Sequence, residues 1–411
     1  MDILCVMRMH PSLDGHGGSQ RAWHTLKALC DIGMVHLVLL PNFSHGKLEV
    51  VSLDPLRSLV SSITVLKIPE WQPSSEPSGK LLHRGWTDLA RVGTHNAPRF
   101  SRASLVRIAE QLPIRRADVI FTQWLPAALI FQDLIRFRLV QADKTFADLV
   151  DLLSIYARRR LATVAAREGG QTRLLGEIEV ALLRRAESRI AALWDKVSLC
   201  APHDVELVNR RTKRQPAILV PNIVDRRLLP KRQPDGFVRL LFVGNLSFEA
   251  NIKGLRAFIA DAWPRIQLSL PTVRLSVVGM NPGPEVMALA GQDGVSIHAD
   301  VESLIPFYED CDMVIAPIFL ASGTRVKIIE AMAYGRPIVS TITGAEGLGL
   351  RNEESALLVE DMETFGRAVV RLGKDSDLQM RLSAAARLIQ EMNFGARSMS
   401  DPLREALQVQ P

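Results

Sequence analysis

The sequence predicts an α/β protein built from two doubly wound, Rossmann-like domains that face a cleft. Both halves of the chain begin with the same order of elements: a short apolar strand, a loop containing glycine and a helix. The chain has 411 residues, which is too long for one ordinary core and long enough for two domains. A polar segment containing prolines, residues 221–236, separates the halves and is the predicted linker.

The first half opens with a strand over residues 2–8 and a loop over 10–21 that is rich in glycine and small polar residues. Apolar residues then recur at helical spacing, and Gly33 ends that helix. A long amphipathic helix is predicted over 174–192. The other predicted strands of this half cover residues 35–40, 63–68, 118–123, 138–143, 196–201 and 217–220, and 138–143 leads into an apolar segment over 146–154.

The second half is organised around residues 322–335. This segment starts as a polar loop and continues as an apolar helix that includes Lys327 and Glu330. Predicted strands flank it, and ligands of open parallel sheets bind beyond the carboxyl ends of the strands. The loop at the helix start therefore predicts an anion site. The predicted strands of this half cover residues 238–244, 274–279, 295–298, 312–317 and 337–341.

Composition excludes several classes of protein. Apolar residues make up 47% and charged residues 23%, as in globular proteins. We expect no membrane-spanning helix, because no run of eighteen apolar residues occurs, and no signal peptide, because the N-terminus carries an acid instead of basic residues. The four cysteines are far apart in sequence, which favours buried free thiols over a disulfide framework or a metal site. These features predict a cytoplasmic protein.

Residues 80–116 contain eight Lys and Arg against two acidic residues, in a chain whose net charge is +6. Two interpretations remain open for this stretch. It could make peripheral contact with an anionic membrane, at its inner face, or it could be a solvated basic face beside a cleft. Nucleic acid is not an expected partner, because the sequence contains no known binding module and no further basic stripe.

Residues 323–333, Gly-Thr-Arg-Val-Lys-Ile-Ile-Glu-Ala-Met-Ala, form the most specific motif of the sequence. With its flanking motifs, it resembles the nucleotide-sugar-dependent glycosyltransferases of the GT-B fold, family 4, also called glycosyl transferases group 1. The resemblance covers nearly the whole chain and is weaker over residues 48–116. The flanking motifs are Gly17-Gly18, Val220-Pro221-Asn222, Phe242-Val243-Gly244, Val277-Val278-Gly279, Ile315-Ala316-Pro317 and Gly344-Ala345-Glu346-Gly347-Leu348.

The resemblance implies that a nucleotide diphosphate sugar binds mostly on the C-terminal domain. Glu330 matches a glutamate that holds the ribose hydroxyls, a task that suits a carboxylate because it accepts two hydrogen bonds from a diol. The competing interpretation is a helix-surface pair between Glu330 and Lys327. Arg325 and Lys327 would offset the charge of the diphosphate at rest and during its departure.

Two positions depart from the family pattern. Asn245 stands where members often have an arginine, so Lys253 becomes a candidate phosphate ligand, although it could equally be an ordinary solvated residue. Ser322 stands where many members have a glutamate that contacts the donor sugar. The Ser322 hydroxyl and the backbone amides of Gly323 and Thr324 would then hold that sugar.

The resemblance also implies roles in the N-terminal domain. His16, Gly17 and Gly18 match positions that approach the diphosphate and the acceptor. Asp148 and Asp151 are candidates to orient or deprotonate an acceptor hydroxyl, and Asp148 could instead be a helix N-cap. No residue stands out as the catalytic base.

The predicted function is a retaining glycosyltransferase of the hexosyltransferase type. It would move a sugar from a nucleotide diphosphate to a hydroxyl acceptor in a glycan, glycolipid or glycoside, without a metal ion or other cofactor. A GT-B nucleotide-sugar epimerase and a non-catalytic nucleotide-sugar-binding protein are the alternatives. The predicted domains are 1–222 for the acceptor and 223–389 for the donor, with a C-terminal helix over 390–411 packing back on the first.

Overall fold

The computed structural model describes most of the chain, in two compact units. The N-terminal unit comprises residues 1–220 and 399–411, and the C-terminal unit comprises residues 221–398. The described residues are 1–13, 17–41, 43–44, 47–48, 53–68, 93–94, 97–98, 100–164, 170–225, 227, 229–230, 235–320 and 323–407.

The N-terminal unit contains a seven-stranded parallel sheet with the order β11-β10-β9-β8-β1-β2-β5. The chain starts at β1 and adds strands first on one side and then on the other, which makes the sheet doubly wound. Two short antiparallel pairs, β3 with β4 and β6 with β7, lie outside it. The strands are β1 (Asp2–Met7), β2 (Met34–Leu39), β3 (Phe43–Ser44), β4 (Lys47–Leu48), β5 (Ser62–Val65), β6 (Gly93–Thr94), β7 (Ala97–Pro98), β8 (Arg116–Gln123), β9 (Gln141–Val150), β10 (Lys196–Leu199) and β11 (Ala217–Leu219).

Helices cover the faces of this sheet, so its central strands are buried along their length, as parallel strands usually are. In β1, every residue from Ile3 to Met7 is buried. Trp194 and Phe131 are among the largest buried side chains of this core. The helices are Gly17–Cys30, Asp54–Arg57, Arg102–Glu110, Leu125–Arg136, Leu153–Val164, Gly170–Leu193, Pro202–Arg211 and Ala396–Leu407, the last of which starts in the C-terminal unit.

The C-terminal unit contains a six-stranded parallel sheet with the order β14-β13-β12-β15-β16-β17. Its first strand, β12, lies at the centre, with β13 on one side and β15 on the other. The order therefore reverses between β12 and β15, which is where such sheets bind ligands. The strands are β12 (Val238–Asn245), β13 (Val273–Met280), β14 (Val295–Ala299), β15 (Met313–Ala316), β16 (Ile338–Thr341) and β17 (Leu357–Val359).

Two apolar layers cover opposite faces of this sheet. Phe242 of β12 belongs to a layer with Phe258 and Phe365, whose rings meet edge to face at 5.6 Å. Its neighbour Val243 belongs to a second layer that includes Ile329, because alternate strand residues point to opposite faces. The helices of this unit are Glu249–Ala257, Trp263–Ser269, Pro284–Met287, Ile305–Asp310, Val326–Ala333, Ile342–Ala345, Met362–Lys374 and Ser376–Asn393, with a π-helical turn at Phe258–Ala262 and a 3-10 turn at Ala288–Gly291.

The prediction of two doubly wound α/β sheets is confirmed, but several boundaries differ. Parts of the predicted strand 138–143 and of the segment 146–154 form one ten-residue strand, β9, which pairs with β8 from Arg116 to Gln123. The end of the second segment belongs to the next helix, which begins at Leu153. The long helix starts at Gly170, earlier than predicted, and ends at Leu193. All four cysteines are free, and no helix within the described ranges is long and apolar enough to cross a membrane.

Candidate functional site

Polar side chains of the C-terminal unit gather where β12 ends, next to the start of helix Val326–Ala333. Asn245 is the last residue of β12, and its carbonyl accepts a hydrogen bond of 2.8 Å from the Asn251 amide. The Oδ1 atom of Asn251 in turn accepts a bond of 2.8 Å from the Lys327 amine. These bonds connect the strand end to the first turn of the helix in the predicted motif.

Lys327 lies deep in this group. Its Nζ atom is 4.3 Å from the centroid of the Phe242 ring, and a Cβ atom placed on Gly244 would be 2.8 Å from it. A side chain at position 244 would therefore displace the amine. The glycine that ends the Phe242-Val243-Gly244 motif is explained by this close approach.

Burial lowers the pKa of Lys327 to about 7, because it disfavours the charged ammonium. Glu330 opposes this shift, and the positive charge of Arg325 adds to it. Lys327 as a whole residue is half-buried. An anionic ligand would favour the charged form again, and the site can thus take up a proton when a diphosphate binds.

Glu330 is buried, with 4% of its surface exposed. Its Oε2 atom accepts a hydrogen bond of 2.8 Å from the Tyr308 hydroxyl, and the Tyr308 ring packs edge to face against Tyr334 at 4.7 Å. This contact raises the pKa of Tyr308, after burial itself. The Tyr308 hydroxyl therefore holds the carboxylate in place from one side. Its ribose role stays a prediction.

Arg325 is also buried, and its guanidinium is directed at backbone carbonyls. The Nε atom donates to the Gly344 oxygen at 2.6 Å, and Nη2 donates to the Glu346 oxygen. Arg325 thus joins the two most specific motifs of the sequence, the helix start and the 344–348 segment. This arrangement gives Arg325 a structural task in addition to the predicted one of offsetting diphosphate charge, which stays a prediction.

The loop before the helix is held by a residue from the predicted linker. Asn222 is buried and donates from Nδ2 to the Thr324 hydroxyl at 2.9 Å. Gly323 has a φ of +63°, a left-handed conformation that favours glycine. Ser322 lies outside the described residues, so its predicted contact with the donor sugar stays a prediction.

The structure places Asn245 and Lys253 in local contacts. The Asn245 Oδ1 atom accepts from the Ser247 amide at 2.9 Å and from the Ser247 hydroxyl at 2.7 Å. Lys253 pairs with Glu249 one turn earlier on its helix, at 2.6 Å, with both side chains more than a third exposed. The solvated alternative for Lys253 agrees with this ion pair, and the amine that does enter the group at β12 belongs to Lys327.

In the N-terminal unit, Asp148 is the centre of a buried polar cluster. Arg21 donates from Nε and Nη2 to the two carboxylate oxygens, at 2.9 and 2.7 Å. Gln123 and Ser198, on the neighbouring strands β8 and β10, donate at 3.1 and 2.8 Å. Asp148 is 1% exposed and lies within β9, so the N-cap alternative is wrong. Four donors on one carboxylate favour an anchoring role over proton abstraction.

The backbone around this cluster is unusual. Val150 and Trp124, at the ends of β9 and β8, have φ values of +68° and +77°, which are rare for residues with side chains. The pairing of β9 with β10 also shifts at this point, between Ser198 and Leu199. Strained backbone of this kind is common at functional sites, and Asp151 directly follows the strained residue Val150.

The remaining predicted residues of this unit lie near the carboxyl edge of the sheet or outside the described part. Gly17 and Gly18 begin the helix that follows β1, and His16 lies outside the described residues. Asp151 precedes helix Leu153–Val164, whose Ser154 donates from its amide and hydroxyl to the buried Glu187 at 2.9 and 2.6 Å. Burial raises the pKa of Glu187 to about 7, and Asp151 adds to the shift.

Sequence reasoning missed several residues of both groups: Arg21, Gln123, Ser198, Glu187, Asn222, Asn251 and Tyr308. Arg21 lies at the end of the predicted glycine loop, but its burial against an acidic partner is visible only in the structure. The others are ordinary polar residues whose partners lie far away in sequence. Only the fold identifies them. Within the described ranges, no group of three His, Cys, Asp or Glu is placed to hold a metal ion.

A known protein family matches the region that contains the polar group at the end of β12. Residues 238–375 match the family model described as Glycosyl transferases group 1. These residues form a glycosyl transferases group 1 domain. The region contains β12, the Lys327 group and Glu330, and the resemblance seen in the sequence motifs is confirmed over this region.

Solved glycosyltransferase structures share the whole fold. Sucrose-phosphate synthase from Thermosynechococcus elongatus is 17% identical, with a TM-score of 0.69 over 99% of this chain and 98% of its own. The Anabaena protein HepE, solved with UDP-glucose, is 14% identical, with a TM-score of 0.66 over 99% of this chain and 100% of its own. At such identities the likeness concerns the fold.

A curated relative also matches part of the chain. It is an uncharacterised 44.6 kDa protein in the cps region of Klebsiella pneumoniae, 27% identical over 144 residues. The aligned region is 33% of this chain and 37% of that relative. The match therefore spans well under two thirds of that relative.

Replacing Arg21 with Met should destabilise the protein strongly, by about 3–5 kcal/mol, because it leaves the Asp148 charge buried without a cation. Urea unfolding measures the change. Arg210→Met is the matched control, since Arg210 pairs with Glu206 at an exposed helix surface and should cost less than about 1 kcal/mol. Equally small losses for both variants would contradict the anchoring role.

Proposed function

We propose that this protein is a retaining hexosyltransferase that moves a sugar from a nucleoside diphosphate sugar to a hydroxyl acceptor. The observation that carries the proposal is the Lys327 amine at the end of β12, three residues from the buried Glu330, inside a glycosyl transferases group 1 domain. A cation and a carboxylate at this spacing suit the two polar parts of a nucleoside diphosphate.

In the proposed complex, the diphosphate lies against Lys327 and the start of helix Val326–Ala333. The ammonium offsets one of the two negative charges of the diphosphate, and the helix start adds the partial positive charge of its amides. The same groups stabilise the charge that develops on the departing diphosphate. Backbone amides of Gly323 and Thr324 and the Ser322 hydroxyl would hold the donor sugar.

Glu330 would accept hydrogen bonds from the ribose hydroxyls, with Tyr308 holding the carboxylate from the opposite side. Uracil is the base we propose as a first probe, because the Anabaena protein HepE was solved with UDP and with UDP-glucose. In the N-terminal unit, Asp151 is a better candidate than Asp148 to approach the acceptor, since Asp148 already accepts four hydrogen bonds. Gly17, Gly18 and His16 would approach the diphosphate from this unit.

We also propose that the reaction requires no metal ion, since Lys327 and the helix start supply positive charge. Retention rests on the family resemblance. Incubation of the protein with UDP-glucose and a panel of hydroxyl acceptors tests these points together. We expect UDP release, unchanged by EDTA, and a product whose anomeric configuration matches that of the donor by NMR.

Each other outcome of that assay has a defined meaning. A new free nucleotide sugar formed without acceptor would support the epimerase. Tight donor binding with no turnover on any acceptor would support a binding protein, for which Ser322 and Asn245 are the motivating departures. An inverted product would contradict retention alone.

The Glu330→Ala variant should bind UDP about tenfold to a hundredfold more weakly, because it loses hydrogen bonds between a charged group and the ribose. Calorimetry with UDP and with its 2′,3′-dideoxy analogue measures the effect. The difference between these two ligands should shrink in the variant. Tyr308→Phe is the control, since it keeps the carboxylate and removes only the bond that holds it. An unchanged UDP affinity in Glu330→Ala would exclude the ribose role.

Binding of UDP should take up protons at pH 8. The pKa of Lys327 is about 7 in the free protein, so most of the amine is neutral at pH 8, and the diphosphate restores its charge. UDP affinity should therefore fall as the pH rises above 7. Calorimetry in buffers of different ionisation enthalpy measures the uptake. Lys327→Met should abolish it, and Lys253→Met should retain it. Persistence of the uptake in Lys327→Met would assign it to another group.

Peripheral contact with an anionic membrane through residues 80–116 is a further proposal, motivated by eight basic residues in that stretch. Residues 80–92, 95–96 and 99 of this stretch lie outside the described residues. Flotation with liposomes containing phosphatidylglycerol should recruit the protein at low salt, and charge reversal at Arg102 and Arg107 should release it. Absence of recruitment at low salt would leave the stretch as a solvated basic face.

A further inference from the structure

We propose that the C-terminal unit has a second ligand site, which binds a small organic anion with an aliphatic body. The site is a cavity of about 560 Å³, within the size range of small-molecule pockets. Arg336, Arg387, Ser383 and Gln379 supply polar groups to its wall, and Met380 supplies apolar surface. The proposed function makes no use of this cavity.

The cavity lies at the edge of the sheet opposite to the proposed donor site. Cys311 and Asp312 directly precede β15, and Arg336 and Pro337 directly precede β16, so the cavity is at the amino ends of these strands. Lys327 lies near the carboxyl end of β12, which is parallel to both. A ligand in the cavity would therefore not compete with a nucleotide.

Arg336 is the main reason to expect an anion. Its side chain is buried, with 4% of the residue exposed, and its Nη2 atom donates to the Pro230 carbonyl at 2.6 Å. Its Nε atom is buried and has no hydrogen-bond partner among the described residues. Buried donors are nearly always paired in folded proteins, so a guanidinium in this state calls for an acceptor.

Arg387, which lies on a different element, also has a buried guanidinium nitrogen of this kind. It lies on helix Ser376–Asn393, and its Nε atom is also buried without a partner in the part of the chain that the structure describes. Two guanidinium groups on one cavity wall match the planar, paired oxygens of a carboxylate or a phosphate. Among the described residues of the wall, the one acid is Asp312, which accepts a hydrogen bond of 2.8 Å from the Arg239 amide.

The rest of the wall selects the body of the ligand. Four of its residues are apolar: Leu229, Pro230, Pro337 and Met380. Met380 lines the cavity and still has 51% of its surface exposed. The Ser383 hydroxyl donates a hydrogen bond to the Met380 carbonyl, and the Gln379 side-chain amide donates one to the Leu372 carbonyl. The wall therefore offers charge at the arginines and hydrocarbon elsewhere, which fits an anionic head on a short aliphatic chain.

Calorimetry with the full chain and saturating UDP tests the site, because the nucleotide blocks phosphate binding at the donor site. The probes are hexyl phosphate, hexanoate, inorganic phosphate and hexanol. We expect one hexyl phosphate or hexanoate per chain, weaker binding of inorganic phosphate and none of hexanol. Liposomes carrying phosphatidic acid separate a lipid headgroup from a free metabolite as the source of the anion.

Arg387→Ala should weaken binding of the hexyl anion about tenfold or more, as expected for loss of a charge-assisted hydrogen bond. Arg381→Ala is the matched control on the same helix, since its guanidinium contacts the Glu353 carbonyl, and it should bind normally. Ser383→Trp, which fills the cavity, should abolish binding even if Arg387→Ala does not fold.

Absence of binding tighter than about 10 mM, equal binding by Arg387→Ala and wild type, or equal binding of hexanol would each overturn the proposal. UDP binding in the same titrations reports on the proposed donor site separately, so failure at one site does not count against the other.

Discussion

A parallel sheet covered by helices on both faces leaves only the ends of its strands available for a polar site. Both units of this protein obey that constraint. In the C-terminal sheet, Lys327, Asn251 and Asn245 meet at the end of β12, and in the N-terminal sheet Asp148 is bonded from the strands on either side of β9. The polar chemistry of each unit therefore depends on the residues near the ends of its strands.

The positive charges in these groups serve different purposes. Arg21 and Arg325 donate to groups of the protein itself, a carboxylate in one case and backbone carbonyls in the other. Lys327 donates to a neutral amide, and burial lowers its pKa by more than the nearby Glu330 raises it. The two arginines thus stabilise the folded units. Lys327 is instead the cation whose charged form an anionic ligand would favour.

The sequence contained enough information for the sheets and for the central motif, because apolar runs and glycine loops are local patterns. The same local patterns also placed Lys327 and Glu330 in one predicted site. The sequence could not show that the two predicted segments around residues 143–146 belong to one strand, β9, nor predict that Arg21 bonds Asp148, 127 residues away. Such partners are chosen by tertiary packing, and an arginine or tyrosine in a helix has no local signature of its acceptor. Asp148 consequently seemed as suited to catalysis as to capping, and its buried ion pair was not foreseen.

The bond pattern of Arg325 has a consequence for how this domain can vary. The guanidinium recognises the Gly344 and Glu346 segment through carbonyl oxygens, which every amino acid possesses. Side chains at positions 345 and 346 can therefore change without loss of the contact, provided the backbone keeps its path. A loop fixed in this way can acquire new side chains toward a ligand while the helix that presents Lys327 stays in register.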